Sequence, residues 1–134
     1  MKVEGGCHCG AIAFEAEVDP EAARICHCTD CQIMTGSAFR VNIPAPATTF
    51  KLIRGTPKVY IKVADSGNRR AHAFCGDCGG PIYAAAPENT TGYSLRIGTL
   101  RQRALIAKPT QQYFCSSAIS WSMDMKDIAR KERG

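Results

Sequence analysis

Ile12, Phe14, Ala16 and Val18 alternate with Ala13, Glu15 and Glu17, a period of two that buries one face of a β-strand and leaves the other to solvent. The alternation recurs at Phe39, Val41 and Ile43, at Phe50 and Leu52, at Val59, Ile61 and Val63, and at Leu95 and Ile97. Turn-forming residues separate the runs: Pro44 to Pro46, Arg54-Gly55-Thr56-Pro57, Ser66-Gly67-Asn68 and Glu88 to Gly92. The pattern predicts a mainly β body built from antiparallel sheets. Helical periodicity is thin. One short helix is expected over Thr29 to Thr35, capped by Thr29 and ended by Gly36, and another around Met123 to Lys131. Lys126 to Gly134 mix both charge signs and read as a solvated helix end or frayed tail.

At 134 residues the chain is long enough to bury most of the surface it exposes when unfolded. No low-complexity linker interrupts it, so residues 1–134 are read as one domain. No stretch approaches the ~18 apolar residues of a membrane span, and Met1 to Gly6 carry no apolar run of a secretory signal. The expectation is a cytoplasmic protein with no membrane partner.

Seven of the eight cysteines fall into three clusters: Cys7 and Cys9; Cys26, Cys28 and Cys31; Cys75 and Cys78. In a reducing compartment clustered cysteines bind metal more often than they form disulfides. A bridge across Cys7-His8-Cys9 or Cys26-His27-Cys28 would close too small a loop to restrain the unfolded chain. Four thiolates complete one tetrahedral zinc site, so seven imply two zinc ions, one in a closed site and one in a site of three with an open position. Cys75-Gly76-Asp77-Cys78-Gly79-Gly80 has the form of a zinc knuckle, which supplies two ligands. Its second pair is either Cys7 and Cys9 or two of the central three, and spacing alone does not choose.

The formal charge of +5 raises the question of an acidic partner. Seven thiolates and two divalent ions subtract three charges and leave about +2, so nucleic acid is not an expected partner.

Gly5-Gly6-Cys7-His8-Cys9-Gly10-Ala11-Ile12, Cys26-His27-Cys28-Thr29-Asp30-Cys31, Gly36-Ser37-Ala38-Phe39 and Phe74-Cys75-Gly76-Asp77-Cys78-Gly79-Gly80-Pro81 together resemble the glutathione-dependent formaldehyde-activating enzyme family, the group that includes centromere protein V. The resemblance continues through Gly98-Thr99-Leu100, Pro109 and Ser117 to Trp121. It implies an Mss4-like zinc fold of antiparallel sheets with one or two short helices. It implies a structural zinc on Cys7, Cys9, Cys75 and Cys78 and a second zinc on Cys26, Cys28 and Cys31. It also implies a carbon–sulfur lyase reaction, in which glutathione adds to formaldehyde or leaves the S-hydroxymethyl adduct. The chain departs from the family pattern at Gly80 and at Arg101 and Gln102, changes that bear on substrate more than on fold.

Chemistry agrees with that reading of the central cluster. Three thiolates make the zinc unit net negative and a poor Lewis acid for water, whereas an incoming thiol with a free pKa near ~8.5 is deprotonated on coordination. The candidate catalytic set is therefore Cys26, Cys28 and Cys31, with His27 as the nearest acid or base. His8 and His27 each lie between two cysteines, where an extended backbone points the middle side chain away from the ligands. His72 is expected to face solvent or a sheet neighbour. Cys115, in an apolar stretch, is expected to pack as a small hydrophobe, and Trp121 to anchor the C-terminal segment. Arg69, Arg70 and Arg101 to Arg103 read as solvated charge. Two rival functions stand beside the enzyme: a zinc-stabilised module docking protein or nucleic acid, and a redox protein whose central cysteines release metal on oxidation.

Overall fold

The computed structural model describes residues 1–134 and contains ten strands and one α-helix. In chain order these are β1 (Lys2–Gly6), β2 (Ala13–Glu17), β3 (Arg24–Cys26), α1 (Thr29–Thr35), β4 (Arg40–Pro46), β5 (Lys51–Arg54), β6 (Lys58–Val63), β7 (Arg69–Phe74), β8 (Pro81–Ala85), β9 (Gly92–Arg96) and β10 (Gln111–Tyr113). A three-stranded sheet runs β1-β2-β5, and a seven-stranded sheet runs β10-β3-β4-β9-β8-β7-β6. Every pairing is antiparallel except β10 on β3. The mainly β class read from the alternation is the class observed.

The core joins the two sheets. Val3, Phe14 and Ala16 of the small sheet cluster with Ile43, Ala45, Ala73 and Leu95 of the large one, and Phe50, Tyr83 and Tyr93 pack against them. Burying a side chain such as Phe14 contributes ~1.5–3 kcal/mol. The approach of the chains is close at Gly5, which lies opposite Phe14 in the ladder. A Cβ there would stand 2.3 Å from the Phe14 ring, so only glycine fits without movement. Arg101 and Gln102 tie the chain after Leu100 to β1. Arg101 pairs with Glu4 at 3.7 Å, and the Glu4 N–H donates to Gln102 Oε1 at 2.9 Å.

Several expectations are corrected. No helix forms over Met123 to Lys131; a 3-10 turn over Ser120–Met123 leads into turns, with Met123, Met125 and Ile128 exposed. A short helix with no face to bury does not offset its nucleation cost. Trp121 is 54% exposed, and Cys115 is exposed rather than packed. Ile97 begins a 3-10 turn, Ile97–Thr99, instead of extending β9. Val59 and Val63 alternate as written but are exposed, because β6 is the edge of its sheet. No helix is long and apolar enough to cross a membrane.

Candidate metal centres and the adjoining clefts

Two sulfur clusters emerge. The Sγ atoms of Cys7, Cys9, Cys75 and Cys78 lie within 4.8 Å of one another, and so do those of Cys26, Cys28 and Cys31. All are free thiols. The folded chain thus brings the Cys7/Cys9 pair, not the central three, to the knuckle. It also leaves the three as a group that no further His, Cys or carboxylate joins.

The four-cysteine cluster joins the sheets. Cys7 and Cys9 follow β1, Cys75 and Cys78 lie in the turn from β7 to β8, and a positive φ of 74° at Gly79 closes that turn. Cys7 and Cys9 Sγ are 3.6 Å apart, and Cys9 and Cys75 Sγ are 3.7 Å apart. Tetrahedral zinc with bonds of ~2.3 Å sets sulfurs ~3.8 Å apart, so the donor set fits that ion. Backbone N–H groups already serve the sulfurs: Ile12 donates to Cys7 at 3.2 Å and Asp77 to Cys75 at 3.4 Å. Backbone N–H groups of Cys9 and Gly80 pull the Cys78 thiol down to about 6. Arg54 Nε and Nη2 donate to the Gly10 carbonyl at 3.0 and 2.7 Å and brace the Cys7–Gly10 turn. A Cβ at Gly80 would stand 3.3 Å from Cys78 Sγ, so the residue that departs from the family pattern sits tight against this cluster. His8 is exposed, and nothing in the structure couples it to either cluster.

The three-cysteine cluster belongs wholly to the large sheet and its helix. Cys26 ends β3, Cys28 precedes α1, and Cys31 lies in its first turn. The helix spans the predicted residues, but its cap is Cys28 instead of Thr29: Cys28 Sγ accepts from the Cys31 N–H at 3.3 Å. Burial opposes a Cys28 thiolate, yet that N–H and the neighbouring thiols outweigh it and lower the group. Burial pushes the Cys26 thiol up to about 12. Gathering the three sulfurs so closely disfavours ionising all of them together unless a cation lies between them. Lys62 of β6 pairs with Asp30 at 2.6 Å and ties α1 over the sheet, and this hydrogen bond raises the Lys62 ammonium.

His27 is buried at 1% exposure and packs on Phe39 with ring centroids 5.5 Å apart. Its Nε2 donates to Gln112 Oε1 at 2.7 Å, and its Nδ1 is buried without a partner. The His27 N–H bonds the Tyr113 carbonyl at 3.0 Å. Gln32 Nε2 bonds both the His27 and Ser117 carbonyls. The residue expected as an acid or base therefore holds β10 and the segment after it against the sulfur cluster.

One cleft contains a sulfur of this cluster, and a second is lined by a residue of its helix. The larger, about 510 Å³, contains Cys26 with Arg24, Asn42, Arg70, Tyr113 and Phe114. The second, about 340 Å³, is lined by Met34 of α1, Arg40, Tyr60, His72, Gly79 and Arg96. Arg40 and Arg96 were not anticipated as site residues, since an Arg on the non-core side of a strand ordinarily reads as solvated. Here they are 4% and 6% exposed. The one signal available was the run of Arg and His at alternate positions, Arg40, Arg70, His72 and Arg96, on strands whose other face is apolar.

Residues 2–117 match the family described as glutathione-dependent formaldehyde-activating enzyme. The chain belongs to this family. The crystal structure of a Rhodobacter sphaeroides protein has a similar fold: TM-score 0.62 over 81% of this chain and 98% of that one, at 23% identity. In this glutathione-dependent formaldehyde-activating enzyme family member, all seven clustered cysteines fall inside the matched residues.

Proposed function

We propose that this protein is a carbon–sulfur lyase-type enzyme. It binds a small thiol such as glutathione at Cys26, Cys28 and Cys31 and forms or cleaves its S-hydroxymethyl-type adduct with a small aldehyde. One observation carries the reading: three cysteine sulfurs converge within 4.8 Å with no fourth protein ligand beside them. Zinc, bound by these three as a second ion beside the structural one on Cys7, Cys9, Cys75 and Cys78, would supply a position where a thiol is held as thiolate.

The protein's own groups do the rest. Cys26 opens into the larger cleft, whose volume of about 510 Å³ accommodates a peptide-sized thiol. Arg24 and Arg70 at its wall face the carboxylates of such a molecule, and Tyr113 and Phe114 supply apolar contact. Phe114 adopts φ 56°, a conformation costly for a bulky residue, at the turn from β10 into Cys115. His27 is a positioning residue that fixes β10 and thereby this wall. In the addition, sulfur bonds to the aldehyde carbon, the carbonyl π pair moves to oxygen, and the proton lost by the thiol ends on that oxygen.

The test is the rate of adduct formation from glutathione and formaldehyde, followed by NMR exchange with zinc-reconstituted protein. Acceleration over the spontaneous rate, lost in Cys31→Ser, is expected. Equal rates with and without protein, for formaldehyde and for other small aldehydes alike, overturn the proposal.

A further inference from the structure

Arg40 and Arg96 are both more than nine-tenths buried, and neither has a carboxylate within ion-pair distance; the four ion pairs in the molecule involve other residues. Arg96 spends Nη1 on Asn42 Oδ1 at 2.7 Å and Nη2 on His72 Nδ1 at 3.0 Å. Its Nε, and that of Arg40, are buried with no acceptor. Burial, then the nearby Arg40, hold the Arg96 guanidinium down to about 9. Two buried like charges with unpaired N–H groups are strongly unfavourable unless an anion compensates them.

The three-sulfur cluster compensates only in part. Cys26 lies directly opposite Arg40 in the β3–β4 ladder, so both side chains leave the same face of the sheet about 5 Å apart at Cβ. Three thiolates with one divalent ion carry a single net negative charge, against two for the arginines. A thiolate on the metal balances that charge but gives the guanidinium N–H groups no oxygen acceptor. Burial, then the charges of Arg96 and Arg40, hold His72 down to about 4. A neutral His72 that accepts at Nδ1 carries its proton on Nε2, which adds a third donor to the same cavity wall. No Asp or Glu lines that cavity.

We propose that the cavity bounded by Arg40, His72 and Arg96 is a carboxylate-binding site for a small molecule that bears its acid group beside the Cys26/Cys28/Cys31 cluster. A planar carboxylate matches the guanidinium fork in shape and brings negative charge and oxygen acceptors to the two arginines that line the cavity. The cavity of about 340 Å³ has ample room for a small acid. Resting on the function proposed above, with the thiol in the larger cleft, the acid group belongs to the aldehyde partner. The favoured electrophile is then a short aldehyde acid rather than formaldehyde. Addition leaves the carboxylate unchanged: the S–C bond forms, the C=O π bond breaks, and the thiol proton passes to oxygen.

Binding is tested apart from catalysis. Glycolate, which cannot react, is titrated into zinc-reconstituted protein labelled for observation of arginine Nε–H resonances. Saturable shifts of the Arg40 and Arg96 signals are expected, with binding weakened by about tenfold or more in Arg40→Gln at unchanged zinc content, the scale of a lost charged hydrogen bond. Absence of shifts at tens of millimolar, equal shifts with neutral ethylene glycol, or equal competition by chloride overturns the site. If Arg40→Gln does not fold, the wild-type resonances decide alone. Adduct formation with glyoxylate is then compared with formaldehyde. A rate preference for glyoxylate that Arg40→Gln abolishes supports the assignment of the acid to the aldehyde, and no preference overturns that assignment. Glycolate binding without any acceleration of either adduct leaves the carboxylate site standing and overturns the lyase function.

Discussion

Cys78→Ser is expected to destabilise the zinc-loaded protein far more than Cys31→Ser, although each removes one sulfur from a cluster of similar geometry. The difference lies in what each cluster connects. Cys7 and Cys9 extend from β1 of the small sheet, and Cys75 and Cys78 join β7 to β8 of the large one, so a metal there cross-links positions such as Cys9 and Cys75, 66 residues apart. Treated as a cross-link that removes chain entropy from the unfolded state, a loop of that size contributes ~4 kcal/mol. Cys26 to Cys31 is a loop of five residues on one sheet and its helix, for which the same relation gives ~2 kcal/mol. Against a total stability of ~5–15 kcal/mol, the first is a large share.

Urea unfolding under reducing conditions, followed by near-ultraviolet circular dichroism, measures the contrast. The stacked Phe50–Tyr93 pair and its neighbour Tyr83 report on the core. Trp121, being exposed, does not. With a slope of ~2 kcal/mol per molar, losing the long cross-link lowers the midpoint by ~2 M and losing the short one by ~1 M at most. Zinc content should fall by one ion in each variant. Equal midpoint losses, or a larger loss for Cys31→Ser, would refute the argument that one cluster joins the sheets and the other does not.

Gly5→Ala places a Cβ 2.3 Å from the Phe14 ring and is expected to cost ~1–3 kcal/mol, read as a lowered urea midpoint with both zinc ions retained. An unchanged midpoint would show that the ring moves freely. Arg54→Ala removes both donors to the Gly10 carbonyl and is expected to speed transfer of zinc from the four-cysteine cluster to a chelator, leaving the other cluster's transfer unchanged. Uniform acceleration at both would contradict this bracing role. His72 binds its proton more weakly when folded, at about 4 against 6.5 unfolded, so the unfolded state takes up more protons in that window. Its contribution is complete above about pH 6.5 and is lost as pH falls through about 4; with the ring half exposed, we set it on the order of 1 kcal/mol. Stability of His72→Asn should therefore decline less steeply than wild type across that range, and parallel declines would exclude the effect.

The alternation of apolar residues was informative wherever one face of a strand meets the core. Ile12, Phe14, Ala16 and Val18 are all buried, as the period of two requires. It was misleading where topology puts a strand at an edge, because the exposure of Val59 and Val63 depends on what lies beside β6 rather than on β6 itself. Three-residue β10 offers no period at all. It is placed by bonds from His27 and Gln32, 85 residues away from their partners Gln112 and Ser117. The Thr29 cap was a reasonable inference from propensity, but Cys28 stands one residue earlier and its sulfur takes the N–H that the cap must satisfy. The cysteine groups were legible because their number and valence restrict the solutions. The remaining choice, which pair meets the knuckle, depended on long-range contacts that spacing does not contain.

Arg40 and Arg96 show where pattern reading stops and why the site lies where it does. A strand's alternation assigns every second residue to the face away from the core, and that face is normally solvent. The seven-stranded sheet instead covers part of its outer face with α1, held there by the Lys62–Asp30 pair and by the bonds of Gln32. Side chains that propensity assigns to water thereby become walls of a cavity, and their charges gain strength as water is excluded. The inner face of the same sheet is apolar and supports the fold; the outer face gathers three thiols, two buried guanidinium groups and a neutral imidazole with little acidic charge to balance them. The four-cysteine cluster already ties the small sheet to the large one. The three-cysteine cluster lies on the large sheet and its helix alone, so a change of ligand there would leave the junction between the sheets intact.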